Sequence, residues 1–194
     1  PSYGILGETH NGVQSEYVVL DPINIHPMPK RLSFQEASSM ALVFMNSYQM
    51  LIQRAQIEQK ERVLIYGATS GVGGAAIQIA KDRGCTVITT VGDKSKIAYA
   101  ESLGADAVFI HNSTLHSKIK NHIGKDRIDV VFEHIGSNTW SNSLKILNKG
   151  GRIVTCGATT GSKVNIDLTH LFIKQQSLIG STMAGMTSFI KVMN

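Results

Sequence analysis

The sequence predicts an α/β fold built on a doubly wound parallel sheet. Five short runs rich in valine and isoleucine alternate with segments long enough for helices, and a sixth run follows them. Nearly continuous apolar strands of this kind are typical of a parallel sheet covered by helices on both faces. Two βαβαβ halves form the layout that binds dinucleotides. In order, the runs are RVLIYG, CTVITTV, DAVFI, IDVVFEH, GRIVTCG and SLIGST.

The composition fits one ordinary domain with a further segment attached. The chain has 194 residues, 42% of them hydrophobic and 17% charged, so it can bury a sizeable core. Its longest apolar stretch, MALVFMNSYQML, is interrupted by Asn46 and Ser47 and is too short to cross a membrane. The net charge of +5 comes from scattered lysines and arginines, although KNHIGKDR is locally basic. We therefore expect neither a membrane nor a nucleic acid as a partner.

The cysteines and the first residue indicate the cellular setting. Cys85 and Cys156 are far apart and each falls in a predicted strand, so neither a disulfide framework nor a metal knuckle is indicated. We expect Cys156 to be a small buried side chain rather than a nucleophile. The expected location is the cytoplasm. The chain begins at Pro1 without a secretory signal pattern, which is typical of an internal piece of a longer protein.

The first part of the chain differs from the rest. Residues 1–32 contain SEYVVLD and then DPINIHPMPK, with three prolines in ten residues, which predicts short strands and turns of a separate β-rich domain. Residues 33–194 are predicted to form the sheet domain. Ser33 and Glu36 fit a capping box, with Leu32 placed for a hydrophobic staple, so a helix should begin there. A second helix is expected from about Asn46 to Ala55.

Apolar residues at helical spacing fill the segments between the later runs. Two such sets predict buried helix faces, and two glycines stand where helices should stop. The first set is Val72, Ala76, Ile79 and Ala80, the second is Trp140, Leu144 and Leu147, and the glycines are Gly84 and Gly104.

Glycines cluster in the turn after the first run. Gly67, Gly71 and Gly73 have the spacing GxxxGxG, which differs from the strict GxGxxG by one residue. Glycine permits a strained turn and a close approach of the backbone to phosphate, and the following helix offers free N–H groups. Thr69 and Ser70 add hydroxyl donors. Glycine can also serve turn geometry alone, but the place after the first of six strands favours phosphate binding.

The end of the second run bears on the cofactor. An NAD site is expected to place a carboxylate at this strand tip, where it binds the ribose hydroxyls and repels a 2'-phosphate. Here the run ends at Gly92 and is followed by Asp93, Lys94 and Lys96. The missing carboxylate and the lysines favour NADP over NAD. Asp93 can still turn toward the ribose, so NAD remains an alternative.

Six motifs in order resemble the medium-chain dehydrogenase/reductase superfamily, in its zinc-type alcohol dehydrogenase and quinone oxidoreductase branches. They are GVQSEYVVL, LSFQEASSMALVFMNSYQML, RVLIYGATSGVGGAAIQIAK, SLGADAVF, DVVFEHIG and GGRIVTCGATTG. The resemblance implies that residues 1–32 end a GroES-like catalytic domain and that residues 33–194 form most of a Rossmann dinucleotide-binding domain. It also implies hydride transfer between a nicotinamide and an alcohol, carbonyl or enone.

The resemblance places most catalytic-zinc ligands before Pro1. Alcohol dehydrogenases of the family commonly have a zinc-binding cysteine in the stretch that matches ALVFMNSY, near Leu42, and this sequence has none there. A carboxylate such as Glu8 can substitute for it in a full-length parent. We therefore expect no metal site formed by this chain alone, and the sequence identifies no catalytic acid or base.

The resemblance also implies where the cofactor lies. Lys96 matches a lysine that quinone oxidoreductases use against the 2'-phosphate of NADPH, while Asn46 falls where the family has a threonine near the nicotinamide. His134 is equally well explained as a strand-end histidine bonded to a neighbouring turn. The predicted cofactor-binding residues are Asn46, Gly67, Ala68, Thr69, Ser70, Gly71, Val72, Gly73, Gly92, Lys96, His134, Ile135, Gly157, Ala158, Thr159, Ser181, Thr182 and Met183.

Two other functions fit the same pattern. One is a non-catalytic NADPH-binding sensor or structural protein, and the other is a methyltransferase that uses S-adenosylmethionine. The expected partners of the oxidoreductase are a small-molecule substrate and a second copy of the chain. The second copy would pair through the last run, Ser177 to Thr182, because an unpaired apolar strand edge favours docking.

Overall fold

The computed structural model describes residues 4–124 and 127–193. Pro1 and the first residues of the predicted β-rich tail, the KD pair within KNHIGKDR, and Asn194 lie outside the described residues. Among the residues that are described, no helix is long and apolar enough to cross a membrane.

Six parallel strands form one sheet, as the alternation of apolar runs predicts. The strand order is β3-β2-β1-β4-β5-β6, so the chain builds outward from β1 in one direction and then from β4 in the other. The order reverses between β1 and β4, which is where doubly wound sheets bind their ligands. The strands are β1 (Arg62–Ile65), β2 (Thr86–Val91), β3 (Ala107–Ile110), β4 (Ile128–Glu133), β5 (Leu147–Thr155) and β6 (Ser177–Gly180).

Helices cover both faces of the sheet because successive strand residues point to opposite sides. Val63 and Ile65 pack on one face with buried residues of α2 and α3, whereas Leu64 packs on the other with residues of α4 and α5. The helices are α1 (Phe34–Tyr48), α2 (Gly71–Asp82), α3 (Ile97–Ser102), α4 (Leu115–Ile123), α5 (Ser137–Ile146), α6 (Leu168–Ile173) and α7 (Met186–Met193).

The capping box at the start of α1 is confirmed, but the separate second helix is not. The Ser33 side chain accepts from the Glu36 N–H, and the Glu36 carboxylate accepts from the Ser33 N–H. From there α1 runs directly into a π-helical segment, Gln49–Arg54. No glycine or proline interrupts the stretch, and the buried Ser47 donates its hydroxyl proton to Val72 O at 2.9 Å. One continuous helix therefore forms where two were expected.

Several smaller expectations are also tested by the structure. Gly84 and Gly104 follow helix ends with φ of +80° and +101°, as predicted. Leu147 begins β5 instead of sharing a helix face with Trp140, because α5 ends at Ile146.

Cys85 lies just before β2 and is buried, while Cys156 lies just after β5 and is exposed. The prediction that Cys156 is buried is therefore wrong, because the chain leaves the sheet one residue earlier.

The described part of the predicted β-rich tail contributes no strand to the sheet. Residues 4–32 contain a short 3-10 turn, Pro22–Asn24, and a single bridge between Leu6 and His10. A strand is stable only when a neighbour completes its hydrogen bonds, and the six-stranded sheet includes no partner for this segment. The assignment of residues 1–32 to another domain stays a prediction.

Candidate dinucleotide-binding site

The β1–α2 turn lies at the carboxyl edge of the sheet, where the strand order reverses. Gly67 has φ of +68°, a conformation that favours glycine. A Cβ at Gly73 would lie 2.1 Å from Gly67 O, and one at Gly71 would lie 2.6 Å from a Val43 methyl carbon of α1. The three glycines are therefore required by how closely α2 approaches β1 and α1.

The start of α2 presents backbone donors at this edge. Ser70 caps the helix, because its hydroxyl oxygen accepts from the Gly73 N–H at 2.9 Å. The N–H groups of Gly71 and Val72 lie in the first turn of the helix, where no carbonyl one turn earlier accepts from them, so they are available to an anion. Thr69 is exposed beside them, whereas Ala68 is buried and donates its own N–H to Thr90 O. The turn therefore combines tight packing with the donors that a pyrophosphate needs.

The end of β2 shows how Asp93 and Lys96 are arranged. The Asp93 carboxylate caps the short 3-10 turn Lys94–Lys96 by accepting from Ser95, and the hydrogen bond from the Ser95 hydroxyl lowers the pKa of Asp93. Lys96 Nζ lies 3.5 Å from the same carboxylate. A side chain at Gly92 would meet open space, so packing does not require glycine there. The Asp93 carboxylate is thus engaged in hydrogen bonds within its own turn, and Lys96 lies beside it.

His134 joins the ends of β4 and β1. Its Nε2 lies 2.8 Å from Tyr66 O, and because a carbonyl oxygen only accepts, Nε2 carries the proton. The imidazole ring also lies against the β1–α2 turn, since a Cβ at Gly67 would be 3.3 Å from two of its atoms. The structure therefore confirms the hydrogen bond to a neighbouring turn and places the ring at the proposed binding edge as well.

A buried carboxylate, Glu133, organises the turn between β4 and α5. It is fully buried and accepts from the Ile135 N–H at 2.7 Å, the Gly136 N–H at 3.2 Å and the Thr139 hydroxyl at 2.8 Å. Ser143 Oγ lies 3.3 Å from the same carboxylate. Several donors compensate the buried charge, which would otherwise be costly. Sequence reasoning did not identify Glu133 as part of the site.

Tyr66 extends this network toward β1. Its hydroxyl lies 3.1 Å from Ser143 Oγ, and burial raises the pKa of Tyr66 well above its usual value. The Ser143 hydroxyl is the donor to the Tyr66 oxygen, and it also lies 3.0 Å from Thr139 O and 3.3 Å from the Glu133 carboxylate. The turn after β4 is therefore tied to the last residue before the glycine turn. Thr139 and Ser143, four residues apart on the buried face of α5, are the signal that could have indicated a buried polar partner.

The loop after β5 rests on the turn after β4. Thr159 donates from its N–H and its hydroxyl to His134 O, at 3.3 and 3.1 Å, and Thr160 does the same to Ile135 O, at 2.7 and 2.8 Å. Gly136 permits this contact, because its φ is +95° and a Cβ there would lie 2.4 Å from Gly161 O. Gly157, Ala158 and Thr159 are exposed on the loop. Hydrogen bonds therefore link the segment predicted to bind the adenosine end of the cofactor to the loop predicted to bind its nicotinamide end.

The loop after β6 is held by α1 and its π-helical extension. Asn46 Oδ1 accepts from the Ala184 N–H at 2.9 Å. Gln49 Nε2 donates to Ser181 Oγ at 3.2 Å and to Thr182 O at 3.0 Å. Asn46 thus lies beside the Ser181–Met183 segment, as the resemblance implies. Gln49 is a further residue of this contact that sequence reasoning did not identify.

Among the described residues, no group of three or more histidine, cysteine, aspartate or glutamate side chains is placed to hold a metal ion. Leu42 stands half-exposed where related enzymes have a cysteine, and Glu8 is exposed. The side chains in the part of the chain that the structure describes therefore do not fit a zinc centre.

Two curated relatives match nearly the whole chain, and the family model for zinc-binding dehydrogenases matches residues 71–194. A crotonyl-CoA reductase of Streptomyces collinus is 31% identical over 197 residues, which covers 91% of this chain and 44% of the relative. A quinone oxidoreductase of Homo sapiens is 29% identical over 180 residues, covering 92% and 54%. The chain spans about half the length of the curated relatives it matches.

Solved structures show the same arrangement. The crystal structure of an NAD-dependent alcohol dehydrogenase matches with a TM-score of 0.93 and 36% identity, over 100% of this chain and 57% of that chain. A 2-octenoyl-CoA carboxylase reductase, solved in complex with NADP and 2-octenoyl-CoA, matches with a TM-score of 0.82 and 28% identity, over 88% and 43%. The six-stranded order described above is thus shared with nicotinamide-dependent proteins.

Proposed function

The chain belongs to the zinc-binding dehydrogenases of the medium-chain dehydrogenase/reductase superfamily, and we propose that it forms the cofactor-binding part of an NADP-dependent oxidoreductase. NAD is the weaker ligand in this proposal. The bound cofactor supplies or accepts a hydride at its nicotinamide ring. The proposed substrate is an alcohol, a carbonyl compound or an enone or quinone, since the named relatives include an alcohol dehydrogenase, a crotonyl-CoA reductase and a quinone oxidoreductase.

The observation that carries the proposal is the close packing of the glycine turn at the point where the strand order reverses. The 2.1 Å approach of a Cβ at Gly73 to Gly67 O means that α2 begins directly against β1. Its first N–H groups then open onto the carboxyl edge of the sheet, which suits the pyrophosphate of a dinucleotide. Packing alone accounts for the glycines, so it is the place of the turn in the sheet that favours phosphate binding.

The remaining residues position the two ends of the cofactor. We assign the adenosine end to His134 and Ile135, and the nicotinamide end to the Gly157–Thr159 loop and the Ser181–Met183 segment. The hydrogen bonds from Thr159 to His134 O and from the Ala184 N–H to Asn46 Oδ1 limit how far these segments can move. Such fixed segments orient the ring toward a substrate and exclude water from one of its faces. No residue of this chain is assigned as the acid or base.

Lys96 supports the preference for NADP. A lysine ammonium group suits a phosphate dianion, and the nearest carboxylate, Asp93, is engaged in capping its own turn. The ion pair with Asp93 competes with any phosphate for Lys96. Lys96 and Asp93 are therefore expected to affect NADPH affinity in opposite directions.

Titration of the chain with NADPH and NADH by calorimetry tests the proposal. Lys96→Ala is expected to weaken NADPH binding by roughly fivefold, the scale of one exposed charge pair, and to leave NADH unchanged. Asp93→Asn keeps a capping side chain but removes the competing charge, so it should strengthen NADPH binding. Lys118→Ala, an exposed lysine on α4, is the control.

Three outcomes would contradict the proposal. Tighter binding of NADH than of NADPH, with no effect of Lys96→Ala, would reverse the cofactor preference. Binding of S-adenosylmethionine in place of either dinucleotide would favour the methyltransferase alternative. NADPH binding without turnover of quinones, enones or aldehydes by the full-length parent would favour the sensor alternative.

We also propose that the chain pairs with a second copy through β6. This strand is at the edge of the sheet, and its Leu178 and Ile179 are half-buried. An edge strand offers unpaired backbone groups to a neighbour. Light scattering that gives twice the chain mass would support the pairing, and a monomer mass would contradict it. Cytoplasmic location stays a prediction.

A further inference from the structure

A second polar cavity lies away from the glycine turn. It has a volume of about 640 Å³ and lies among residues of α4, α5 and α6. We call it the basic groove, and its apolar lining includes Ile123 and Ile146. The polar side chains that line the basic groove are His116, Lys120, Arg127, Lys145, His170 and Lys174.

The basic groove lies at the opposite edge of the sheet from the proposed cofactor site. Arg127 directly precedes β4, Ile146 directly precedes β5, and Lys174 lies shortly before β6. These are the amino ends of the strands, whereas the glycine turn follows the carboxyl end of β1. The charge of the basic groove therefore has no role in holding the dinucleotide.

The charged side chains of the basic groove have one sign among the lining residues that the structure describes. Four lining side chains are lysine or arginine, and no aspartate or glutamate is among the described lining residues. Within the described part of the chain, other cations do form ion pairs, as Lys81 does with Asp106 and Arg152 with Glu61. None of the four cations of the groove has such a pair there. A solvated helix face would be expected to mix both signs of charge.

Two of the cations converge on one backbone atom. Arg127 Nη1 donates to Lys145 O at 3.1 Å, and Lys174 Nζ lies 3.5 Å from the same oxygen. This carbonyl is near the end of α5, where the helix dipole offers a partial negative charge of about half a unit. This partial negative charge offsets only part of the positive charge of Arg127 and Lys174. Burial and the neighbouring Arg127 lower the pKa of Lys174, which reflects the crowding.

A buried polar atom in the same lining lacks a partner. Nδ1 of His116 is inaccessible to solvent and has no hydrogen bond in the structure. His116 and Lys120 lie one turn apart on α4, so they face the groove together. A buried nitrogen without a partner is uncommon in proteins, but an atom without accessible surface does not contact a ligand in the groove, so the four cations alone carry the site.

We propose that the basic groove binds a compact polyphosphate anion. Several cations gathered in one cavity match an anion that carries several charges close together, and lysine and arginine are the side chains that bind phosphate best. The volume falls in the range of small-ligand sites. A short, partly open groove among three helices suits a compact anion better than an extended nucleic acid, which needs a long charged track.

Calorimetric titration of the chain with inorganic tripolyphosphate tests this inference. Lys120→Ala combined with Lys145→Ala removes two exposed cations of the groove and should weaken binding at least tenfold. Lys118→Ala combined with Lys149→Ala removes the same charge from exposed positions outside the groove and should leave binding within about twofold of the original. Circular dichroism confirms that both double variants are folded.

Each alternative outcome would overturn the inference. Equal loss in both double variants would mean a general charge effect. Binding that survives Lys120→Ala with Lys145→Ala but is displaced by NADPH would place the anion on the glycine turn. Tighter, groove-dependent binding of a single-stranded oligonucleotide would assign the surface to nucleic acid. Absence of tripolyphosphate binding to the unaltered chain at moderate salt would remove the site altogether.

Discussion

Two strand-to-helix turns at the carboxyl edge of the sheet, β1–α2 and β4–α5, are stabilised by different interactions. The β1–α2 turn leaves out side-chain atoms, because a Cβ at Gly73 has no room beside Gly67 O. The β4–α5 turn instead buries a charged side chain, Glu133, which accepts from two N–H groups of the turn itself. The first turn is fixed mainly by close contact, whereas the second adds hydrogen bonds to a close contact of its own, because a Cβ at Gly136 would lie 2.4 Å from Gly161 O.

This difference determines what each turn can tolerate. An added side chain is expected to destabilise the β1–α2 turn, because there is no room for it. Removal of the Glu133 acceptor is expected to destabilise the β4–α5 turn, because its N–H groups then lose their partner. The two are also connected, because Tyr66 joins the Glu133 network through Ser143 and His134 donates to Tyr66 O. Substitutions in each turn can therefore be compared for their effect on the free energy of unfolding and for their effect on NADPH affinity.

The largest effect is expected at Gly73. Gly73→Ala forces a Cβ against a backbone oxygen, so we expect a loss of about 4 kcal/mol in the free energy of unfolding and loss of NADPH binding. Urea unfolding and calorimetry measure the two quantities. Gly92→Ala is the matched control, because a Cβ at Gly92 meets open space. Equal stability of the two variants would refute the contact argument.

A somewhat smaller effect is expected at Glu133. Glu133→Leu leaves the N–H groups of Ile135 and Gly136 buried without an acceptor, which should cost about 3 kcal/mol. Glu133→Gln keeps one acceptor oxygen, so it should recover about half of that loss. Urea unfolding of both variants gives the comparison. If the leucine variant were as stable as the glutamine variant, the hydrogen bonds would not be what fixes this turn.

A smaller effect that separates capping from anion binding is expected at Ser70. Ser70→Ala removes the cap of α2 and should cost about 1 kcal/mol in stability. Ser70→Asp restores a capping oxygen but adds a negative charge where the pyrophosphate is proposed to lie. It should therefore keep stability near that of the original chain while weakening NADPH binding at least tenfold. Unchanged NADPH affinity in the aspartate variant would argue against this position for the pyrophosphate.

Local patterns in the sequence predicted much of the fold. The six apolar runs, the Ser33 capping box and the glycine turn each depend on residues close together in the chain, so their signals are visible before folding. The contact of Asn46 with Ala184 joins residues far apart in sequence, and the family resemblance implied only that Asn46 and the Ser181–Met183 segment both lie near the nicotinamide. Cys156 and Leu147 were misplaced because strand and helix ends depend on the neighbouring strands and helices.

The role of Glu133 could not be recognised in the same way. A glutamate at a strand end ordinarily predicts a solvated side chain, and its burial depends on hydroxyls that α5 brings back over it. The basic groove was equally difficult to predict, since its cations come from three separate helix ends and loops. Chemical type hid the first feature, since the donors to Glu133 lie only two to ten residues after it, and distance in sequence hid the second.

The long helix formed by α1 and its π-helical extension has a mechanical consequence. It begins at Ser33, next to the predicted domain boundary, and its side chains at Asn46 and Gln49 grip the loop after β6. A helix is stiff along its axis, and 15 residues of α1 extend about 22 Å. A tilt of α1 at its first turn would therefore displace Asn46 and Gln49, and with them the loop after β6.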